Sequence, residues 1–263
     1  QPKELQDTEG RERLRQLGDV VTANLHLIGR GQGRLTCVDF YDPEMREIEI
    51  PLSPKLSPQQ NAAKFYKDYT KAKNASRVLT GLIAQGEKEL SYLESILDEL
   101  NRAEGEKDLS EIRAELTEGG YIRSVGKKKQ PKQQPSRPMA FRSSEGFEIY
   151  VGRNNRQNDQ LTLRAAEKYD LWLHAQKIHG SHVIVACAGR GDPGEATLDE
   201  AAALAAWYSQ AREGQNVPVD CALVKHVKKP AGAKPGMVIY DHYTTRYVTP
   251  DGKLCEKLRE ERQ

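Results

Sequence analysis

The stretch that most restricts the fold runs from Ser57 to Arg102. It opens "SPQQ": Ser57 can cap a helix, Pro58 fits the first helical position, and Gln60 can reach back to the cap. A long helix to about Arg102 is predicted. Its second half carries a heptad, with Ile83, Leu90 and Leu97 at one position and Leu79, Gly86, Leu93 and Leu100 at the other. Three heptads with a glycine in the seam are weak alone. The partner expected for them is a first helix reaching about Leu25, in which Leu14, Leu17 and Val21 recur at spacings of three and four, returning antiparallel. Between the helices, "LTCVDFYDPEMREIEI" (35–50) reads as two short strands around Asp42-Pro43. With the aromatic start of the second helix ("AAKFYKDY") they form a small β-containing globule at the tip of the hairpin. About 25 residues of helix span on the order of 40 Å. The plainer alternative is that the leucine stripe is the core face of a bundle helix.

Downstream, "DLSEIRAELTEGG" (108–120) is a capped helix stopped by two glycines. "RSVGKKKQPKQQPSRP" (123–138) has three prolines and no acid, cannot bury a core, and reads as a basic tether or an arm for RNA phosphate. A second domain starts near Met139. Strands are expected in "FEIYVG", "YDLWLHA", "HVIVACA", "VPVDCALVKHV" and "MVIYDHYTTRYVTP". Helices are expected from Asn154 and over 197–212, the latter with a Thr197/Glu200 capping box. This mixture lacks regular βαβ alternation, so the class is α+β. The division is 1–120 for the hairpin and middle segment, 121–138 for the linker and 139–263 for the second domain.

Composition narrows the function. Mean hydropathy is −0.74 with 30% charged residues, too polar for one compact ball of 263 residues. The chain is expected to have no membrane partner, since no apolar run approaches the roughly 18 residues of a membrane span and no charged-then-apolar leader opens it. It begins with Gln1, mid-pattern, as a fragment or processed form would. Cys37, Cys187, Cys221 and Cys255 are far apart without C-x-x-C spacing, which fits reduced thiols in a cytoplasmic protein. Residues 1–120 carry 17 Lys/Arg and 22 Asp/Glu; the remaining 23 of 40 bases and 16 of 38 acids lie in 121–263. Only the second half has the footprint of a polyanion binder.

The chemistry-bearing residues concentrate in "DLWLHAQKIHGSH" (170–182). On a strand, alternation sets Leu171 and Leu173 on one face and Asp170, Trp172 and His174 on the other. A metal site of His174, His179 and His182 lacks tight paired spacing, and Ser181 has no nucleophile elbow around it. The remaining readings are structural histidines, or a ligand-gripping face in which Trp172, His174 and His182 stack on bases or donate to phosphate. "VGRNNRQND" puts Arg153 and Arg156 beside a helix start at Asn154, a candidate anion site. "KHVKKPAGAKPG" supplies Lys228, Lys229 and Lys234 on a glycine-bearing turn, without a Walker pattern. No catalytic residue, metal or cofactor is expected.

"GFEIYVGRNNRQNDQLTLRAAEKYDLWLHAQKIHGSHVIV" and "KKPAGAKPGMVIY…TTRYVTP" closely resemble the RNA-binding domain of the NFACT family of ribosome-quality-control factors, in bacteria often labelled fibronectin-binding-protein-A-like. "LGDVVTANLHLI", "LSPQQNAAKFYKDYTKAKNA" and "ELSYLESILDEL" resemble the family's coiled-coil and middle segment. The resemblance implies a non-enzymatic scaffold that binds large ribosomal subunits holding peptidyl-tRNA, contacts tRNA and rRNA, and recruits tRNA for untemplated alanine tailing. The ribosome itself performs peptidyl transfer. It also implies docking of the hairpin tip on ribosomal protein or RNA near the stalk base. The family's N-terminal domain and helix-hairpin-helix module, with their tRNA-discriminating Asp-Arg pair, have no counterpart here. This half alone is therefore expected to bind ribosome and RNA without selecting tRNA. Two rivals are a surface fibronectin-binding adhesin and a metal-dependent hydrolase built on the histidines.

Overall fold

The computed structural model describes residues 2–123, 136–187 and 189–260. Most of the predicted basic linker, 124–135, lies outside the described residues. Packing divides the chain into two units, Gln1–Lys88 and Glu89–Gln263, with the boundary inside one long helix.

In the first unit α1 (Pro2–Ala23) leads to β1 (Arg34–Val38) and β2 (Glu47–Pro51), an antiparallel pair with Cys37 opposite Ile48. Then α2 begins at Pro58 and runs to Arg102. Its start is the predicted reciprocal box: Gln60 N donates to Ser57 Oγ (3.1 Å) and Ser57 N to Gln60 Oε1 (2.8 Å). The helical hairpin forms as expected. α1 meets α2 at Gly18, where an added Cβ would stand 3.0 Å from the Tyr66 ring. Tyr66 Oη donates to Asp19 Oδ1 at 2.6 Å. Val20, Val21, Leu35, Ile50, Leu52 and Ala62 bury a small core between helices and ribbon, while Phe40, Tyr41 and Met45 on the β1–β2 connection stay exposed.

The predicted heptad seam is corrected. Leu79, Ile83, Leu90 and Leu97 are all more than half exposed, and among the described residues nothing lies within 4 Å of a Cβ placed at Gly86. The face α2 buries in the second unit is instead Tyr92, Ile96 and Glu99, packed on Ile112 and Glu115 of α3 (Glu106–Glu118). Spacings of four and three still apply, but the stripe is rotated off the leucines, and one of its members is a carboxylic acid.

The rest of the second unit is a six-stranded antiparallel sheet, ordered β10-β7-β5-β6-β4-β3. Its strands are β3 (Met139–Arg142), β4 (Glu148–Val151), β5 (Leu171–Ala175), β6 (Val183–Val185), β7 (Val217–Leu223) and β10 (Thr244–Val248). α5 (Glu195–Trp207) and α6 (Gly252–Glu260) cover one face and enclose Ile149, Leu173, Val185, Leu204 and Leu258. α5 starts two residues before the predicted Thr197/Glu200 box. Glu145, from the β3–β4 turn, takes the place of the predicted cap by accepting from Thr197 N (3.1 Å). The opposite face is covered by α4 (Asn155–Gln160), the π-helical turn Leu161–Ala165 and the segment carrying β8 (Val227–Lys228) and β9 (Ile239–Tyr240).

All four cysteines are free and buried. Desolvation pushes the thiols of Cys37 and Cys187 upward, Cys221 to about 11 and Cys255 to about 12. No described helix is long and apolar enough to cross a membrane.

Candidate nucleic-acid interface

Alternation on β5 holds as read: Leu171 and Leu173 point to the helical layer, Trp172 and His174 to the other side. That other side, however, is roofed. Trp172 is 0% exposed, enclosed by Leu161, Val227 and Tyr240. Its ring stacks on His174 (centroids 5.6 Å, 11°) and meets His182 edge-on (5.3 Å, 86°). Trp172 therefore presents no face to a base, which corrects the stacking role expected from the sequence. A base-stacking aromatic must leave a ring face in solvent, and here α4 and the β8–β9 segment occupy that space. Trp172 Nε1 has no hydrogen-bond partner among the described residues.

The histidines are corrected with it. His182 is buried, its Nδ1 2.8 Å from Thr162 Oγ1 and its backbone N donating to Asn158 Oδ1 (3.0 Å). Burial, reinforced by His174, holds its pKa well below the ordinary value. His174 is part-buried and borders a pocket of about 110 Å³ shared with Ser95, Asn155 and His179; desolvation lowers its pKa to about 4. Both rings are neutral near pH 7, so neither supplies charge for a phosphate. The two aspartates nearby are structural as well. Asp170 accepts from Cys187 N (2.8 Å) and Glu167 N (2.7 Å). Asp220, opposite His174, accepts from Tyr240 Oη, Thr245 Oγ1 and Gln176 Nε2 at 2.6, 2.6 and 3.0 Å. Ser181 Oγ donates to Gly152 O (2.5 Å) and accepts from Arg102 Nη1 (2.8 Å), a bracing role and not a nucleophile's.

The helix start at Asn154 is folded as read but already satisfied. Gln157 N donates to Asn154 Oδ1 (2.9 Å) and Arg153 N to Gln157 Oε1 (3.2 Å). Gly152 lets the chain enter: an added Cβ would lie 2.1 Å from Asn158 Oδ1. The expected anion is supplied by the protein itself. Arg153 Nη1 pairs with Glu104 (3.2 Å) and Asp108 (3.4 Å), Asn154 Nδ2 donates to Glu111 (2.6 Å), and Arg156 pairs with Glu118 and lies 3.8 Å from Glu115. Carboxylates on and just before α3 thus fill the place assigned to phosphate.

Of the three loop lysines, Lys229 pairs with Asp159. Lys234 donates to Tyr121 Oη (3.0 Å) and lies 5.1 Å from each of the Tyr92 and Tyr121 ring centroids; the tyrosine hydrogen bond chiefly raises its pKa. Lys228 is exposed and makes no side-chain hydrogen bond or ion pair with a described residue. Near it lie groups that sequence reasoning missed. Lys225 sits over the exposed Tyr169 ring (4.9 Å), Lys225 N bonds to Lys168 O (3.1 Å), and exposed Tyr243 packs on Tyr240. "KHVKK" was a visible signal for the lysines. The tyrosines had none, since both lie in connections just before strands and their exposure is set by tertiary packing.

A helical hairpin followed by a six-stranded antiparallel domain, with exposed lysines and tyrosine rings on its outer layer, is the α+β architecture that comparison with known proteins places in a family. The chain belongs to the NFACT family. The family profile "NFACT N-terminal and middle domains" matches residues 1–135, and "NFACT protein RNA binding domain" matches residues 137–241. The chain is 40% identical to the Rqc2 homolog RqcH of Bacillus subtilis, over 98% of its length and 45% of that protein's. It is likewise 40% identical to RqcH of Streptococcus pneumoniae, over 98% and 46%. It therefore spans about half the length of the curated relatives it matches. Among solved structures it resembles the C-terminal part of the fibronectin/fibrinogen-binding protein of Streptococcus suis, with TM-score 0.69 and 31% identity, covering 98% of this chain and 90% of that one.

Proposed function

We propose that this chain is the RNA- and ribosome-gripping half of a ribosome-quality-control factor. The carrying observation is that two NFACT profiles tile residues 1–135 and 137–241, with 40% identity to RqcH across 98% of the chain. In this reading it is a cytoplasmic scaffold and not an enzyme. It binds large subunits that hold peptidyl-tRNA and helps recruit tRNA for alanine tailing, while the ribosome makes the bonds. The division proposed from the sequence is 1–120, 121–138 and 139–263, although packing groups residues 89–120 with the second unit. Exposed Phe40, Tyr41 and Met45 supply an apolar contact for a stalk-base protein. Lys225 and Lys228, edged by Tyr169 and Tyr243, supply the phosphate-facing surface. Phosphate contacts dominate such affinity and make it fall steeply with salt.

Co-sedimentation with separated ribosomal subunits tests this reading. Binding to large subunits, enhanced by peptidyl-tRNA, is expected, and absence from both subunit fractions at low salt overturns it. The similarity to the fibronectin/fibrinogen-binding protein of Streptococcus suis favours one second reading, fibronectin binding. Direct titration with fibronectin, alongside surface labelling of intact cells, decides between the two.

A further inference from the structure

Two histidines and an aspartate converge away from the residues read above as candidate ligands. His226 ends the 3-10 turn before β8, and Asp241 and His242 connect β9 to β10. Asp241 Oδ1 accepts from Nδ1 of His242 at 2.8 Å and lies 3.1 Å from Nδ1 of His226. The two imidazoles stack with centroids 4.6 Å apart at 28°. His242 reaches this position through a backbone φ of +51°, a conformation few non-glycine residues adopt. Asp241 N also donates to His226 O (3.3 Å), so the two segments are joined by backbone before any side chain is considered.

One ligand atom from each residue lies within 4.8 Å of the others, and among the described residues no other His/Cys/Asp/Glu trio does so. A tetrahedral zinc with bonds of about 2.0–2.1 Å holds neighbouring ligand atoms roughly 3.3 Å apart. The two Oδ1–Nδ1 separations, 2.8 and 3.1 Å, are already near that span, and the stacked rings must turn about their side-chain bonds for both Nδ1 lone pairs to reach one ion. We propose that His226, Asp241 and His242 form a surface site for a divalent transition metal of the zinc class.

The donor set chooses the metal. Two imidazole nitrogens and one carboxylate oxygen suit zinc and its borderline-soft neighbours, whereas magnesium and calcium require oxygen-rich shells. On binding, each Nδ1 must present a lone pair where it now faces a carboxylate, so a neutral ring carries its proton on Nε2 instead. Three protein ligands leave one position for water or an outside anion. Lys228 opposes a cation here, since its charge reaches Asp241; solvent and salt weaken that opposition because Lys228 and Asp241 are both exposed. The ion would clip the entry of β8 to the β9–β10 connection. The site stands on geometry alone and does not depend on the RNA reading.

Equilibrium dialysis of the untagged 263-residue chain against zinc, with metal counted by elemental analysis, tests it. About one ion per chain is expected, with magnesium in excess failing to displace it. Even outer partners of metal ligands are worth about 10–100-fold in affinity, so the double variant H226A/H242A should bind at least about a hundredfold more weakly. H174A and H179A should bind as the parent does. A second readout needs no variant. In ¹⁵N spectra of the histidine rings, zinc should shift two of the six histidines, those of His226 and His242. Undiminished binding in the double variant, or zinc shifts confined to other histidines, overturns the proposal.

Discussion

Two basic stretches of the second unit meet opposite fates. Around Asn154, Arg153 and Arg156 are held by Glu104, Asp108, Glu115 and Glu118. At β8, Lys225 and Lys228 face solvent with only a tyrosine ring beneath one of them. In the sequence the first stretch looks better suited to phosphate, because it adds a helix start to its charge. In the fold it is an internal joint, and the plainer lysine run is the one left open. Charge read along a chain is therefore a supply, and availability depends on which carboxylates the fold brings alongside.

Substitutions in the covered region should thus register as lost stability, and those at β8 as lost binding. The largest effect is expected from Trp172→Ala, which empties a fully enclosed ring site and should cost about 3–5 kcal/mol in urea or thermal melts. RNA affinity per folded molecule should not change; a selective loss of affinity with intact folding would break the contrast.

Next is the pair K225E/K228E. Titration with a single-stranded RNA should show affinity lower by about tenfold to a hundredfold at low salt, with a salt slope shallower by about 2. Parental binding by this pair would leave the open surface without a role.

A smaller effect concerns Glu99, whose carboxyl is pushed up to about 9 from an ordinary 4.5 by burial and then by Glu115. The folded state thus holds a proton that the unfolded state has released between these values. Its contribution to stability is complete below about pH 4.5 and declines as pH rises toward 9. Glu99→Gln should raise stability at pH 8 by on the order of 1–2 kcal/mol and flatten that decline, measured by urea melts across pH.

The smallest is Arg153→Ala, expected to cost about 1 kcal/mol because its ion pairs are partly solvated. RNA affinity should be unaltered, and a tenfold loss would return Arg153 to the binding surface.

Local pattern made much of this fold legible. Ser57-Pro58-Gln60 announced α2, Asp42-Pro43 the β1–β2 ribbon, and the alternation of Leu171 and Trp172 the two faces of β5. What stayed hidden is non-local. Nothing within "DLWLHA" tells that residues 155–165 and 224–240 return to roof the Trp172 side. The heptad misled because leucine spacing marks an apolar stripe without saying whether anything covers it. β3 and α6 are four and nine residues long, too short for periodicity to declare. Tyr169 and Tyr243 became candidates only when their rings were found outside the packed layers.

The buried thiols have a practical consequence. A thiolate is the reactive form of cysteine, and Cys37, Cys187, Cys221 and Cys255 are all shielded and all held toward the protonated state. A single new cysteine on the surface, at Lys228 or at the β1–β2 connection, should take up a maleimide dye or spin label while the native four stay silent. Distance and mobility measurements then require no cysteine-free background.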